Sequence, residues 1–241
     1  MQVTQIHIVG YGKMGRAIER LAPSHGCTTS SIITSHRELL QSLRTDSDGV
    51  YIDFSSPHTI LDNLRAYATH GATAVCGTTG WHNSAEELFT LFRTGNSSLL
   101  YASNFSFGMH LCRQLTRRMA AFSRLSDGAR VQISETHHTS KLDTPSGTAI
   151  SLAGDVIDHS AYTEWVLDGD DTSTHLPVRA IREGDAKGLH EITLDLPGER
   201  ITLTHDASTR DVFAIGALQG ARWVQGKSGV HTIDDMMQDL L

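Results

Sequence analysis

The sequence predicts an α/β protein: an N-terminal, Rossmann-like doubly wound parallel sheet, followed by an α+β region with a mixed sheet. Three observations carry this. Short apolar runs alternate with amphipathic helical segments through the first hundred residues, the pattern of a parallel sheet with helices on both faces. The first run ends in GYGKMG, a GxGxxG turn that opens a helix. In the second half the period falls to two, and a Pro-Gly step joins two alternating segments, which is a hairpin signal.

The elements follow in order. Ile6 to Gly10 is an apolar strand ending at glycine, and KMGRAIERLA places Met14, Ile18 and Leu21 on one helical face. Ser31 to Thr34 predicts a second strand and ELLQSLR a short helix. Val50 to Phe54 is a third strand, stopped by Ser-Ser-Pro, and Ile60, Leu61, Leu64 and Ala68 mark the next helix. Thr73 to Gly77 is strand four. Ser84 with Glu87 has the spacing of a capping box opening AEELFTLF. Leu99 to Ser103 is strand five. Cys112, Leu115, Met119 and Phe122 then stripe a longer helix. ARVQISETHH alternates, with Val131, Ile133, Glu135 and His137 on one face. A helix follows Pro145-Ser146-Gly147, with Ala149, Ile150, Ala153 and Ile157 apolar. HEITLDLPGERITLTHDA is the hairpin, and the chain ends in two helical segments.

Composition narrows the function. A chain of 241 residues can bury a sizeable core in one large domain or two modest ones. Its net charge is -7, with no Lys/Arg block, so no nucleic-acid partner is expected. No apolar run is long enough to span a bilayer, and the N-terminus reads as a first strand, not a signal peptide; no membrane partner is expected. Three widely spaced cysteines, Cys27, Cys76 and Cys112, suggest no disulfide framework, so a reducing cytoplasm is the expected location.

In the glycine turn, Gly10 suits a tight bend, Gly12 a close approach to pyrophosphate, and Gly15 close helix-sheet packing. Helix-start amides then face the anion. DFSSP (Asp53 to Pro57) and CGTTGW (Cys76 to Trp81) follow strands three and four, where open α/β sheets bind ligands. Gly77 and Gly80 allow close backbone approach there, and Thr78 and Thr79 offer hydroxyls.

The stretch ETHHTSKLDTPSGTA, Glu135 to Ala149, gathers two histidines, a lysine and an aspartate before a helix start. If the strand runs through them, His137 and His138 point to opposite faces. With no HExxH spacing and no cysteine nearby, no metal site is expected. A histidine can pass a proton near neutral pH, and a lysine can hold an anion or stabilise developing negative charge. Ser146, Thr148 and the first-turn amides make a receptor for a carboxylate or phosphate.

With these motifs the chain resembles the bacterial 4-hydroxy-tetrahydrodipicolinate reductases, formerly dihydrodipicolinate reductases, of lysine and diaminopimelate biosynthesis. GYGKMGRAI, DFSSP, CGTTGW, ASNFSFG, ETHHTSKLDTPSGTA, IREGDAKGLHEI and HDASTRDVFAIGAL occur in family order over nearly the whole chain, and the HHxxKxDxPSGTA element is highly specific. The resemblance implies a dinucleotide-binding domain at 1–106 and 211–241, using NADPH or NADH, and a substrate-binding and oligomerisation domain at 107–210. It implies a homotetramer acting on a small dicarboxylate substrate. His137 is the implied general acid/base and Lys141 its partner. His138, Ser146, Gly147 and Thr148 are implied to hold the substrate. Gly10, Lys13, Met14, Gly15, Phe54, Gly77, Thr79, Ser103, Asn104 and Phe105 are implied to line the cofactor site, which Gly12 of the glycine turn and Thr78 of CGTTGW join on the residues alone. Two departures stand out: Ser56, where many members carry a basic residue, and Thr144, where alanine is common.

The chemistry implied is reduction of a cyclic unsaturated imine bearing two carboxylates, with hydride from the nicotinamide and a proton from His137. Domain closure over the substrate would exclude water. For the adenosine end, Thr34, Ser35 and His36 occupy the place where an NAD-specific fold puts a carboxylate. Arg37 lies beside them, able to pair with a 2′-phosphate. The expectation is that NADPH is used at least as well as NADH, with Glu38 as the residue that could reverse it. Two other readings stay open on the residues alone: another two-domain nicotinamide enzyme, such as an amino-acid dehydrogenase, and a non-enzymatic module that reads NADPH.

Overall fold

The computed structural model describes residues 3–45, 48–81 and 84–241. In chain order the elements are β1 (Thr4–Val9), α1 (Lys13–Leu21), β2 (Cys27–Ile33), α2 (His36–Thr45), β3 (Val50–Asp53), α3 (Ile60–Thr69), β4 (Thr73–Cys76), α4 (Ala85–Thr94) and β5 (Ser98–Tyr101). Then come α5 (Phe107–Ser123), β6 (Arg130–His137), α6 (Gly147–His159), β7 (Glu164–Leu167), β8 (His175–Arg182), β9 (Leu189–Leu196) and β10 (Glu199–Asp206), and finally α7 (Asp211–Val224), β11 (Gly229–Thr232) and α8 (Ile233–Leu240). The chain divides into two compact units, one of Met1–Ser106 with Arg210–Leu241 and one of Phe107–Thr209.

The first unit is built on a six-stranded parallel sheet of order β11-β5-β4-β3-β1-β2. β3 is buried along its whole length, as a central parallel strand under helices on both faces must be. The core includes Tyr51, Leu64, Tyr67, Phe92 and Leu99. The doubly wound sheet expected from the sequence is therefore present. Helix α7 buries Ala214, Ala217, Leu218 and Ala221, and its Gly216 lies so close to the chain at Phe105 that a Cβ would stand 1.8 Å from the Phe105 carbonyl oxygen.

The second unit has a mixed sheet of order β10-β9-β6-β8-β7. β6 is its centre, antiparallel to β9 and parallel to β8. Val131, Ile133 and Glu135 point into the core side with Ile192 and Leu194 of β9, and α5 and α6 contribute Met109, Cys112, Leu152 and Val156. This period-two face was legible in the sequence, as was the β9–β10 hairpin.

Several local expectations are corrected. β2 begins at Cys27, four residues before the expected start, because its Thr/Ser-rich first half is an edge strand with alternating exposure. Ser84 sits at the N-cap of α4 but makes no side-chain cap bond, and Glu87 instead receives Arg65 at 3.2 Å. The buried face of α5 is Met109, Cys112, Thr116 and Ala120, while Leu115 and Phe122 are 42% and 60% exposed. Of the expected stripe, Cys112 is in the core and Met119 packs against it, while Leu115 and Phe122 face outward. Ile150 of α6 is exposed too. Strand β6 ends at His137, so His138 lies in the following loop. Pro145 precedes the Ser146 cap instead of opening the helix. β7, β8 and the four-residue edge strand β11 were not expected at all.

Candidate active site

In the first unit, the turns after β1, β3, β4 and β5 are laced together at the carboxyl ends of the strands. Gly10 N donates to Ile33 O, Phe54 N to Val9 O, Gly77 N to Asp53 O and Ala102 N to Cys76 O, all within 2.9–3.1 Å. This brings Gly10, Phe54, Gly77, Thr78 and Thr79 into one crest. Gly10 has φ +87°, and a Cβ there would lie 2.4 Å from the Phe54 carbonyl oxygen; at Gly15 a Cβ would lie 2.2 Å from the Gly10 carbonyl oxygen. At Gly12 a Cβ would meet nothing within 4 Å among the described residues, so the turn is open on that side. Gly12 caps α1 with no side chain to fill its first-turn amides, and Lys13 and Met14 open the helix. A closed, tightly packed turn with one open flank at a helix start fits a pyrophosphate.

The crest rests on Asp53, the first residue of the DFSSP stretch, whose supporting role the sequence does not mark. It is fully buried and accepts from Ser55 N, Asn63 Nδ2 and the Tyr67 hydroxyl at 2.9–3.0 Å. Burial pushes its carboxyl above the usual range, against these hydrogen bonds, which hold it down. The buried Thr78 hydroxyl also leans on Asp53, at 3.4 Å. Phe54 meets Phe105 edge-on, with centroids 6.0 Å apart, and Asn104 Oδ1 accepts from Ser106 N, which shapes the Ser103–Phe105 turn. Ser56, one of the family departures, pairs its hydroxyl with that of Thr59 at the start of α3.

At the end of β2 the structure supplies the carboxylate the sequence did not place. Thr34 donates to Glu38 Oε2 from both its amide, at 2.7 Å, and its hydroxyl, at 3.0 Å. These bonds, the backbone one first, hold the Glu38 carboxyl below its usual range. Ser35 Oγ accepts from Glu38 N at 3.3 Å, and Arg37 is exposed in the same turn.

In the second unit, the end of β6 and the start of α6 meet over Glu135. This residue is 0% exposed. Its Oε1 accepts from Ser146 N at 3.0 Å and from Arg182 Nη2 at 3.1 Å. Arg182, the last residue of β8, also donates to Asp143 O at 2.6 Å and to the Thr144 hydroxyl at 3.1 Å, so the second family departure has a partner. The loop is thereby tied to the sheet. Lys141 Nζ pairs with Asp143 at 2.8 Å, and the His138 ring lies 2.9 Å from the Ser140 hydroxyl. Ser146 Oγ accepts from Ala149 N at 3.1 Å, which leaves its hydroxyl proton to donate. Gly147 is the first residue of α6, with the buried Thr148 next to it.

Glu135 Oε2 faces two rings. His137 Nδ1 is 3.4 Å away and His190 Nε2 is 3.7 Å away. The two imidazoles meet edge-on with centroids 5.2 Å apart. Burial lowers the proton affinity of His137, to a pKa of about 4; Glu135 opposes this, while Lys141 and Arg182 add to it. Burial does the same to His190, to about 3, reinforced by the His137 and His205 rings. The donor atoms of Glu135, His137 and His190 lie within 4.8 Å of one another, near enough to converge on a cation. Arg182 on the same carboxylate and Lys141 in the adjoining loop place positive charge beside them. In the sequence Arg182 and His190 lie within the IREGDAKGLHEI stretch without marking themselves as partners of Glu135, which shares a strand face with His137.

A parallel sheet with a glycine turn at a helix start is the architecture of dinucleotide-binding units, here followed by a second unit with a buried carboxylate and two imidazoles. Comparison with known proteins is more specific. Residues 4–105 match the family model described as dihydrodipicolinate reductase, N-terminus, and residues 108–237 the model for its C-terminus. A 4-hydroxy-tetrahydrodipicolinate reductase from Christiangramia forsetii is 33% identical over 238 residues, 98% of each chain. Among solved structures, a dipicolinate-bound dihydrodipicolinate reductase from Paenisporosarcina sp. TG-14 superposes with TM-score 0.71 at 20% identity, over 96% of this chain and 98% of that one. An engineered D-amino acid dehydrogenase bound to NADP+ shares the fold at TM-score 0.54 and 15% identity, over 97% of this chain and 93% of that one. The chain belongs to the dihydrodipicolinate reductase family, the 4-hydroxy-tetrahydrodipicolinate reductases, oxidoreductases of lysine and diaminopimelate biosynthesis.

Proposed function

We propose that His137 delivers the proton, with Lys141 as the supporting cation, in the NAD(P)H-dependent reduction of 4-hydroxy-tetrahydrodipicolinate to tetrahydrodipicolinate. Overall, a hydride and a proton enter and water leaves. The reduced nicotinamide, when bound, supplies the hydride. In this reading the first unit is the dinucleotide-binding domain, with the Gly10–Gly15 turn and the crest at Phe54, Gly77–Thr79 and Ser103–Phe105 as its contacts. The second unit is the substrate-binding domain.

One observation carries the assignment of the second unit. Ser146 N is bonded to Glu135 Oε1, so the start of α6 is fixed against the strand end that bears His137. A small dicarboxylate can then place one carboxylate on the Ser146 hydroxyl and the first-turn amides at Gly147 and Thr148, with His138 and Lys141 on the loop beside them. The substrate's negative charges raise the proton affinity of His137, which burial otherwise holds low. On this reading the ring takes up its proton as the substrate binds. It gives up its proton as negative charge develops on the substrate ring, and Lys141 stabilises that charge.

The cofactor preference follows from the end of β2. Glu38 offers a carboxylate to ribose hydroxyls, and exposed Arg37 offers a guanidinium to a 2′-phosphate. Both cofactors are used on this reading, NADPH at least as well as NADH. The expected assembly is a homotetramer, which light scattering on the purified protein would test.

The central experiment is His137→Gln, followed by loss of nicotinamide absorbance on freshly coupled substrate. The expected fall in kcat is about a hundred- to ten-thousand-fold, with a smaller change in KM. A variant that keeps more than half of the wild-type kcat would remove His137 from the reaction.

A further inference from the structure

We propose that Glu135 is the positioning residue of His137: its Oε2 holds the ring by the Nδ1 edge, with the His190 ring facing the same oxygen, so that Nε2 is the edge that gives up the proton. This rests on the assignment of His137 as proton donor.

Four features support it. Glu135 is wholly buried, yet its two oxygens have different surroundings. Oε1 is anchored by Arg182 and Ser146 N, which fixes the plane of the carboxylate. Among the described residues, Oε2 has no hydrogen-bond partner other than what the two rings can offer, and His137 Nδ1 and both nitrogens of His190 are equally without one. Buried polar atoms in that condition are costly unless a proton is shared among them, and three groups facing one another at 3.4 and 3.7 Å can share one. The opposite edge of His137 faces Gly188, where the first side-chain carbon would stand 3.3 Å from Nε2; glycine keeps that edge clear. In a histidine whose Nδ1–H is held by a carboxylate, the second nitrogen is the one free to exchange its proton.

The charged and titratable groups around the ring come from every neighbouring element. Glu135 lies on β6 and Arg182 on β8. His190 lies on β9, with His205 of β10 behind it at a centroid separation of 6.4 Å. Lys141 and Asp143 lie on the loop. Among these, Glu135 is the anion nearest the ring and the one that raises its proton affinity most. In turnover, the His137 imidazolium loses the Nε2 proton to the substrate and becomes neutral with Nδ1–H retained towards Glu135. Solvent restores the Nε2 proton in the next cycle.

The test has two parts. Long-range ¹⁵N–¹H correlation on the wild-type protein at pH 7.5 should show neutral His137 as the Nδ1–H tautomer; an Nε2–H tautomer would overturn the proposal. Glu135→Gln keeps an oxygen for Arg182 and Ser146 N but loses the charge. It should lower kcat about ten- to a hundredfold, less than loss of the acid itself, change KM little, and shift the alkaline limb of the kcat profile to lower pH. Glu135→Asp should restore part of that shift. Glu135→Gln with the wild-type profile and more than half of its kcat would sink the positioning role even if His137→Gln is inactive. A fully active His137→Gln would instead bring down the assignment beneath it. Tightly held zinc that survives dialysis against chelator, and is needed for activity, would show a metal centre and overturn the proposal as well; unchanged activity after chelation supports it.

Discussion

His190 makes the protein sensitive to mild acid, by an amount that can be worked from its burial. The ring is 3% exposed and sits in β9 between Glu135, His137 and His205, and burial lowers its pKa from 6.5 to about 3. In the unfolded chain it protonates as pH falls below 6.5; in the folded chain it stays neutral until near 3. The folded value is the depressed one, so the unfolded state binds the extra proton. Stability is therefore complete above about 6.5 and falls as pH drops, by about 1.4 kcal/mol per unit. Between pH 7.5 and pH 5 this single ring costs about 2 kcal/mol. His190→Gln removes the titration while keeping a polar side chain. Urea unfolding of both proteins at the two pH values gives the double difference, which cancels every other group that titrates alike in both. The variant should be the less stable protein at pH 7.5 and should recover about 2 kcal/mol on the wild type at pH 5. A double difference below about 0.5 kcal/mol would mean that His190 is protonated in the folded protein or reached by water, and the account of the cluster would fail.

Gly216→Ala drives a Cβ to 1.8 Å from the Phe105 carbonyl oxygen, so despite the better helix propensity of alanine it should destabilise the first unit by about 1–3 kcal/mol or more, read as a lower Tm. An unchanged Tm would show that α7 can shift freely. Arg37→Ala should lower kcat/KM for NADPH and leave that for NADH nearly untouched. If wild type prefers NADH tenfold or more and the variant's use of NADPH is unchanged, the reading of the β2 end is wrong. Truncation after Ser208 removes α7, β11 and α8, which bury Ala217, Leu218, Val224 and Met236 in the first unit, and should yield an insoluble or nucleotide-blind protein. A soluble product with full cofactor affinity would contradict that packing.

The fold class was legible because long-period signals were strong. Strand–helix alternation and the glycine turn marked the parallel sheet, and the period-two run from Val131 to His137 marked the strand that became β6. Short or polar elements escaped. β11 is Gly-Val-His-Thr, too short for any period, and forms only because β5 offers an open sheet edge. The first half of β2 is Thr- and Ser-rich, and its pairing with β1 is what makes it a strand. The α5 stripe failed for a related reason. Apolar letters at 112, 115, 119 and 122 obey helical spacing, but only Cys112 and Met119 of them meet the core, and Thr116 and Ala120 complete the buried face in place of Leu115 and Phe122.

The active-site loop shows a sharper boundary between what sequence holds and what it withholds. His137, Lys141 and Ser146 lie within ten residues, and their chemistry could be read without coordinates. Glu38 lay only three residues past Ser35, but reaching the end of β2 required the first turn of α2 to fold back onto Thr34. His190 stands much farther along the chain, inside the IREGDAKGLHEI stretch, where its spacing from His137 gives no hint that the two rings meet. It reaches the site through register alone: β6 and β9 pair so that Glu135 lies directly opposite His190, and Ile133 opposite Ile192. A shift of one residue in that register would turn His190 to the other face of the sheet and leave the carboxylate with a single imidazole. The apolar pair two residues away therefore does more than fill the core. By fixing which residue of β9 faces Glu135, the pairing of Ile133 with Ile192 in the core holds His190 against the carboxylate and so sets the geometry of the proton-bearing cluster.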